Sequence, residues 1–173
     1  MAKVSVIGTT SWGTTLAILL ANSGVETLLW ARTQEEAAAL ESARENQRLL
    51  PGASFPPSMH VTASREEASA GVDMVVLAVP SRSFRENVRG LMPFLERPCV
   101  IMSATKGLEK DTANRMSQIL EEELPQSFWG GICVLSGPNL SREVVQGKPA
   151  STVVASREEG VALQALKLLM SPT

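Results

Sequence analysis

Six short runs of apolar residues punctuate the chain: Val4–Ile7, Thr27–Trp30, Met74–Val79, Cys99–Met102, Ile132–Leu135 and Thr152–Ala155. Most are continuous rather than alternating in polarity. A strand covered on both faces has this signature, and such strands belong to parallel sheets sandwiched between helices. The stretches between them predict helices. Trp12–Ser23 is rich in Ala and Leu, and Gly24 stands where a C-terminal glycine would end it. Thr33–Glu45 opens on an N-cap threonine with Glu36 three residues on, the spacing of a capping box. Asp111–Leu124 is expected to be capped by Asp111 and stopped before Pro125, and Glu158–Met170 forms a last helix. Strands alternating with helices make βαβ units, so the fold class is α/β: a doubly wound, mostly parallel sheet with helices on both faces. Asn46–Pro57, with Pro51, Gly52, Pro56 and Pro57, is a loop. There is no repeat of fixed period and no low-complexity tract.

Length and composition bound this picture. The 173 residues, 44% of them hydrophobic and 20% charged, make one domain with a substantial core. Residues 1–173 are therefore read as a single unit. The chain ends at Ser171-Pro172-Thr173, directly after a predicted helix, and a domain boundary is expected there. A formal charge of -2 argues against nucleic acid or an anionic membrane as partner. No apolar run reaches the ~20 residues that span a bilayer, and the first residues lack the pattern of a secretory signal. Cys99 and Cys133 are the only cysteines, in no CxxC and in no cluster with His60. Neither a metal site nor a disulfide framework is expected. The reading is a reduced, soluble, cytoplasmic domain.

The strongest local signal is VSVIGTTSWGTTLAILLANSG, which reads as strand, tight turn, helix. A dinucleotide-binding βαβ unit places G-x-G-x-x-G here. The three positions are Gly8, Thr10 and Gly13. The first glycine serves the turn and the third the close packing of helix on strand. The second lets backbone approach a pyrophosphate, and here it is a β-branched residue. Thr10 either crowds the diphosphate or turns its hydroxyl toward a phosphate oxygen. The amides near Ser11 and Trp12 still offer donors and a favourable dipole. The second strand is followed by Arg32 rather than by the acid that binds the ribose 2′-hydroxyl of NAD. Arginine pairs with the 2′-phosphate of NADP, and Arg48 in the next loop adds a second charge. A plain turn and two solvated arginines account for the same residues.

Five further segments extend the pattern: LLWAR, ENQRLLPG, VVLAVPS, SATKGLE and LSGPNLSREVVQGKP. With GTTSWGTTLA they resemble, in order, the signature segments of NAD(P)-dependent glycerol-3-phosphate dehydrogenases, across nearly the whole chain. The resemblance implies a Rossmann-type fold. It also implies interconversion of dihydroxyacetone phosphate and sn-glycerol 3-phosphate with NAD or NADP, NADP being favoured by Arg32, in support of glycerophospholipid synthesis. Family members run to about twice this length. Their second, all-helical domain completes the substrate pocket and carries a proton-handling lysine, so this chain is expected to be the cofactor-binding half and inactive alone. Carried over by motif, Ser11 and Trp12 touch the cofactor diphosphate region and Arg32 its adenosine end. Lys106 stands at the cofactor–substrate junction as the catalytic and substrate-binding cation. Gly137 and Asn139 contact the substrate, and Ser141 the cofactor. Asn139 stands where serine is frequent in bacteria, and Ser141 where alanine is common. A homodimer formed through the second domain is also expected.

The chemistry suits these residue types. In hydride transfer the cofactor supplies the hard step, and the protein supplies position and electrostatics. A phosphorylated ketone needs positive charge, which Lys106 offers just past a strand. Asn139 donates and accepts, although an N-cap after a glycine turn explains it too. His60, alone, reads as structural or solvent-facing. Glu121-Glu122-Glu123 reads as a solvated helix face, and Leu163, Leu166, Leu169 and Met170 as core, or as surface left by an absent domain. Two other functions remain open: a non-catalytic dinucleotide sensor, and a reductase of another small carbonyl or hydroxy acid.

Overall fold

A computed structural model describes residues 2–170. Its strands are β1 (Lys3–Ile7), β2 (Glu26–Trp30), β3 (Met59–Thr62), β4 (Met74–Leu77), β5 (Val100–Ser103), β6 (Ile132–Ser136) and β7 (Val153–Ser156). They form one sheet in the order β3-β2-β1-β4-β5-β6-β7, parallel except for β7, which runs antiparallel to β6. The helices are α1 (Ser11–Asn22), α2 (Gln34–Ala43), α3 (Arg65–Ser69), α4 (Ser81–Leu91), α5 (Met116–Glu123), α6 (Ser141–Val145) and α7 (Glu159–Leu169). Strand order reverses between β1 and β4, so the carboxyl ends of these two strands border the crevice where doubly wound sheets bind ligands.

Each strand feeds two cores, because successive side chains point to opposite faces. Val4, Val6, Met74, Val76, Val100 and Met102 pack with Leu16, Leu20 and Ala165 of α1 and α7. Ile7, Val75, Leu77 and Ile101 pack on the other face with Phe84, Val88 and Ile119 of α4 and α5. The continuous apolar runs were the correct sign of two-sided burial. The two edge strands are the exceptions: β3 exposes His60, and β7 has Val153 66% exposed.

The structure departs from the sequence reading in four places. Asp111 caps nothing. The helix begins only at Met116, after Arg115 as N-cap, because Leu108 bridges Arg115 and the Glu109 amide bonds the Asn114 carbonyl. That turn, with Ala113 at φ 57°, consumes the residues that would have made the first helical turn. A short strand, β3, occupies the end of the stretch after the Pro-rich loop, and α3 and α4 follow β3 and β4 directly. Thr33 does cap α2 by accepting from the Glu36 amide, but the Glu36 carboxylate turns elsewhere, so only half of the capping box forms. Glu122 and Glu123 are not simply solvated: both bond Arg85, and Glu121 pairs with Arg157. The expected boundary at Ser171–Thr173 lies outside the described residues.

Candidate functional site

The turn after β1 is built by two glycines against two backbones. Gly8 holds φ 113°, and a Cβ there would lie 2.8 Å from Val79 Cγ1 and 2.9 Å from the Ala78 carbonyl oxygen. A Cβ on Gly13 would overlap the Gly8 carbonyl. Helix α1 therefore starts almost in contact with the turn, which only glycine at both positions allows.

Thr10 between them is the N-cap of α1. Its Oγ1 accepts from the Gly13 amide at 3.0 Å and donates to the Ala78 carbonyl at 2.8 Å. The hydroxyl thus ties the turn to the end of β4. The amides of Ser11 and Trp12 stand at the open end of the helix, whose first turn holds no acidic residue. Asn46, from the ENQRLLPG loop and 3% exposed, props the turn from behind. Its Nδ2 reaches the Thr9 carbonyl at 3.0 Å and Thr14 Oγ1 at 2.9 Å.

Across the crevice, Thr105 Oγ1 lies within bonding reach of the Leu77 and Val79 carbonyls, at 3.1 and 2.8 Å, and locks the end of β5 to that of β4. The next residue, Lys106, is exposed. Six residues past the strand, Glu109 receives a two-pronged bond from Arg85 of α4, with both contacts at 2.7 Å. Arg85 also bonds Glu122 and Glu123 of α5. The loop carrying Lys106 is therefore held on both sides. The Arg85 guanidinium, helped by the Thr112 hydroxyl, pulls the Glu109 carboxyl down to about 2.

The third wall comes from the end of β6. Asn139, 7% exposed, donates from Nδ2 to Thr152 Oγ1 at 2.8 Å. It caps no helix, since the N-cap of α6 is Leu140. Its Oδ1 and the indole Nε1 of Trp12 are both buried, and neither has a partner among the described residues. Ser141 opens α6, and its carbonyl lies 3.4 Å from Thr15 Oγ1 of α1.

These walls enclose a cleft of about 290 Å³ lined by Thr10, Trp12, Lys106, Asn139 and Ser141, with Val79, Pro80 and Thr105. Five residues singled out from the sequence thus meet at one place. Gly8, Gly13 and Ser11 form its floor-side turn, and Gly137 precedes Asn139 beyond the lining. Arg32 and Arg48 are exposed, outside the lining and without an ion pair among the described residues. A larger hollow of about 540 Å³ adjoins it, sharing Trp12 and Asn139 and otherwise largely apolar, with Leu16, Leu135, Leu166 and Leu169. His60 lies on the outer strand with Nδ1 3.3 Å from Glu41 Oε1, far from this chemistry in the fold. Burial pushes the thiols of Cys99 and Cys133 up to about 11 and about 12. No three metal-ligating side chains come together, and no helix is long and apolar enough to cross a membrane, among the described residues. Thr105, Glu109 and Asn46 escaped the sequence reading as site-building residues, although each lies inside a segment that it quoted.

Comparison with known proteins shows the family. Residues 3–162 match the family described as NAD-dependent glycerol-3-phosphate dehydrogenase N-terminus. The chain belongs to this family. A glycerol-3-phosphate dehydrogenase (NAD(P)+) of Dehalococcoides mccartyi is 51% identical over 170 residues, which are 98% of this chain and 47% of that protein. Its counterpart in Corynebacterium glutamicum is 42% identical over 162 residues, covering 94% and 48% of the two chains. The crystal structure of glycerol-3-phosphate dehydrogenase from Coxiella burnetii superposes with a TM-score of 0.89 at 26% identity, over 98% of this chain and 51% of that one. The chain thus spans about half the length of these dehydrogenases.

Proposed function

We propose that this chain is the dinucleotide-binding half of an sn-glycerol-3-phosphate dehydrogenase, active on dihydroxyacetone phosphate once the other half of the pocket is joined to it. The observation that carries the reading is the meeting of Lys106, Asn139, Ser141, Trp12 and Thr10 around one cleft at the strand-order reversal. A nicotinamide dinucleotide bound there would supply hydride chemistry. The residues fit it: a glycine-built turn, a helix N-terminus free of acids, and two buried polar atoms that have no partner among the described residues.

Each residue then has a task. The Ser11 and Trp12 amides bind diphosphate oxygens at the positive end of α1. Arg32, with Arg48, meets the adenosine end and attracts a 2′-phosphate. Ser141 would help to hold the cofactor, and Val79-Pro80 at the end of β4 would line its nicotinamide side. Lys106, on its braced loop, places a cation between cofactor and phosphorylated substrate and stabilises negative charge on the reducible oxygen. The backbone at Gly137 and the free Oδ1 of Asn139 accept and orient substrate hydroxyls.

Retention of Lys106 and Asn139 on the cleft favours this enzyme over a pure dinucleotide sensor, which has no use for a substrate-side cation. The reading places the protein in the cytoplasm, in glycerophospholipid synthesis and in a homodimer through its other half. Titration calorimetry of this chain with NADPH and NADH tests the first step, and micromolar binding is expected. Turnover of dihydroxyacetone phosphate is expected only from a version extended to the length of the relatives, and Lys106→Ala in that version should lower kcat/KM by at least 100-fold, about 3 kcal/mol. Equal turnover of unphosphorylated ketones would instead indicate a different reductase.

A further inference from the structure

The second strand lacks the acid that dinucleotide sites place at its end for the ribose 2′-hydroxyl. The residues that follow Trp30 are Ala31, Arg32 and Thr33. A carboxylate nevertheless reaches that spot from the first turn of α2. Glu36, instead of closing its capping box on Thr33, accepts at Oε1 from Thr9 Oγ1 at 2.6 Å, across 27 residues of sequence. Thr9 is the second residue of the glycine-built turn. The Gly8 amide before it donates to the Trp30 carbonyl at 3.2 Å, so this turn and the end of β2 abut. The Glu36 carboxylate is therefore fixed against the turn that abuts the end of β2.

The mounting is firm. The Thr9 carbonyl accepts from Asn46 Nδ2 at 3.0 Å, and the Asn46 Oδ1 accepts from the Leu49 amide at 3.2 Å. The second oxygen of Glu36, Oε2, accepts no hydrogen bond among the described residues. A carboxylate only accepts. It suits a ribose hydroxyl and repels a phosphate. Arg32, exposed and without an ion pair among the described residues, acts in the opposite sense at the same end of the cofactor.

Resting on the dinucleotide-binding reading above, we propose that Glu36 is a specificity-determining residue: held beside the first turn by Thr9, it receives the ribose 2′-hydroxyl of NAD(H) and offsets the pull of Arg32 on the 2′-phosphate of NADP(H). The chain therefore accepts both dinucleotides and discriminates weakly. One negative charge a few ångströms from a phosphate, at an effective dielectric near 20 and partly screened, alters relative affinity by about tenfold.

The test is calorimetric titration of the chain with NADH and with NADPH, for wild type, Glu36→Gln and Thr9→Val, with thermal melts confirming that each variant is folded. Glu36→Gln should raise the ratio of NADPH to NADH affinity by about tenfold, through tighter NADPH and weaker NADH binding. Thr9→Val keeps the charge and loses only its tether, so it should shift the ratio much less. An unchanged ratio in Glu36→Gln overturns the proposal while the dinucleotide-binding reading stands. So does an equal loss of both cofactors in both variants, which would make Glu36 a strut for the turn. A folded wild type that binds neither cofactor overturns the reading beneath, and this proposal with it.

Discussion

Thr10 shows how one side chain in a ligand-binding turn becomes part of the scaffold. Its hydroxyl neither points freely at the crevice nor stands idle: it caps α1 and bonds the end of β4. Thr10→Ala should destabilise the chain by about 1 kcal/mol, the usual loss for an N-cap threonine, while Thr10→Ser stays close to wild type. Urea denaturation measures both, and an unaltered midpoint in Thr10→Ala would mean that the cap is not formed in solution. Thr10→Gly restores the motif glycine and frees the Gly13 amide. That variant should bind NADPH more tightly even though its turn is less well held. Unchanged affinity would show that the threonine does not crowd the diphosphate.

At the scale of elements, the Lys106 loop depends on partners supplied by two helices. The Arg85–Glu109 bond and its neighbours join α4, the loop and α5 into one unit. Glu109 titrates at about 2 in the folded chain against an ordinary 4.5, so its bond contributes in full above that ordinary value. The contribution fades as pH falls from about 4.5 toward 2, where the folded carboxyl takes up its proton. Wild type and Glu109→Gln should therefore differ in stability at pH 6 and converge on acidification, as read from denaturation midpoints across that range. Amides of residues 106–115 should exchange faster in Arg85→Met at pH 7, with those of β1 and β4 unaltered. Uniform exchange would mean that the loop holds without Arg85.

The same elements show what is legible in a sequence and what is not. Buried strands of a parallel sheet announce themselves as continuous apolar runs, and five of the six runs lie in the sheet's parallel part. β3 is illegible because Met59-His60-Val61-Thr62 is the edge strand of the sheet and exposes its histidine. α4 is legible, since Phe84, Val88 and Leu91 recur at helical spacing and are its buried face. Asp111 misled because cap chemistry is local, whereas the turn that displaces it depends on the pairing of Leu108 with Arg115. In the site, motif residues could be named because their neighbours in sequence are also their neighbours in space. The pairs Thr9–Glu36 and Arg85–Glu109 join residues 27 and 24 positions apart, and no local pattern announces such contacts.

The whole molecule carries an asymmetry that bears on the proposed second half. On the sheet face carrying α1 and α7, the hollow of about 540 Å³ opens beside the cleft and exposes apolar side chains. Leu163 of α7 is 48% exposed and Met170 62% exposed, whereas Ala165 of the same helix is fully buried. A charged residue at a free surface costs within about 0.5 kcal/mol, while one forced into a core commonly unfolds a domain. Leu163→Glu should thus leave the melting temperature of this chain nearly unchanged, and Ala165→Glu should abolish folding. In the extended protein, Leu163→Glu should lower both stability and turnover if the added half covers this face, because the new charge would then be buried without a partner. If Leu163→Glu already destabilises the chain by itself, α7 is packed more completely than its exposure implies. If the extended protein tolerates it as well, the second half seats elsewhere and the cleft is completed from another side.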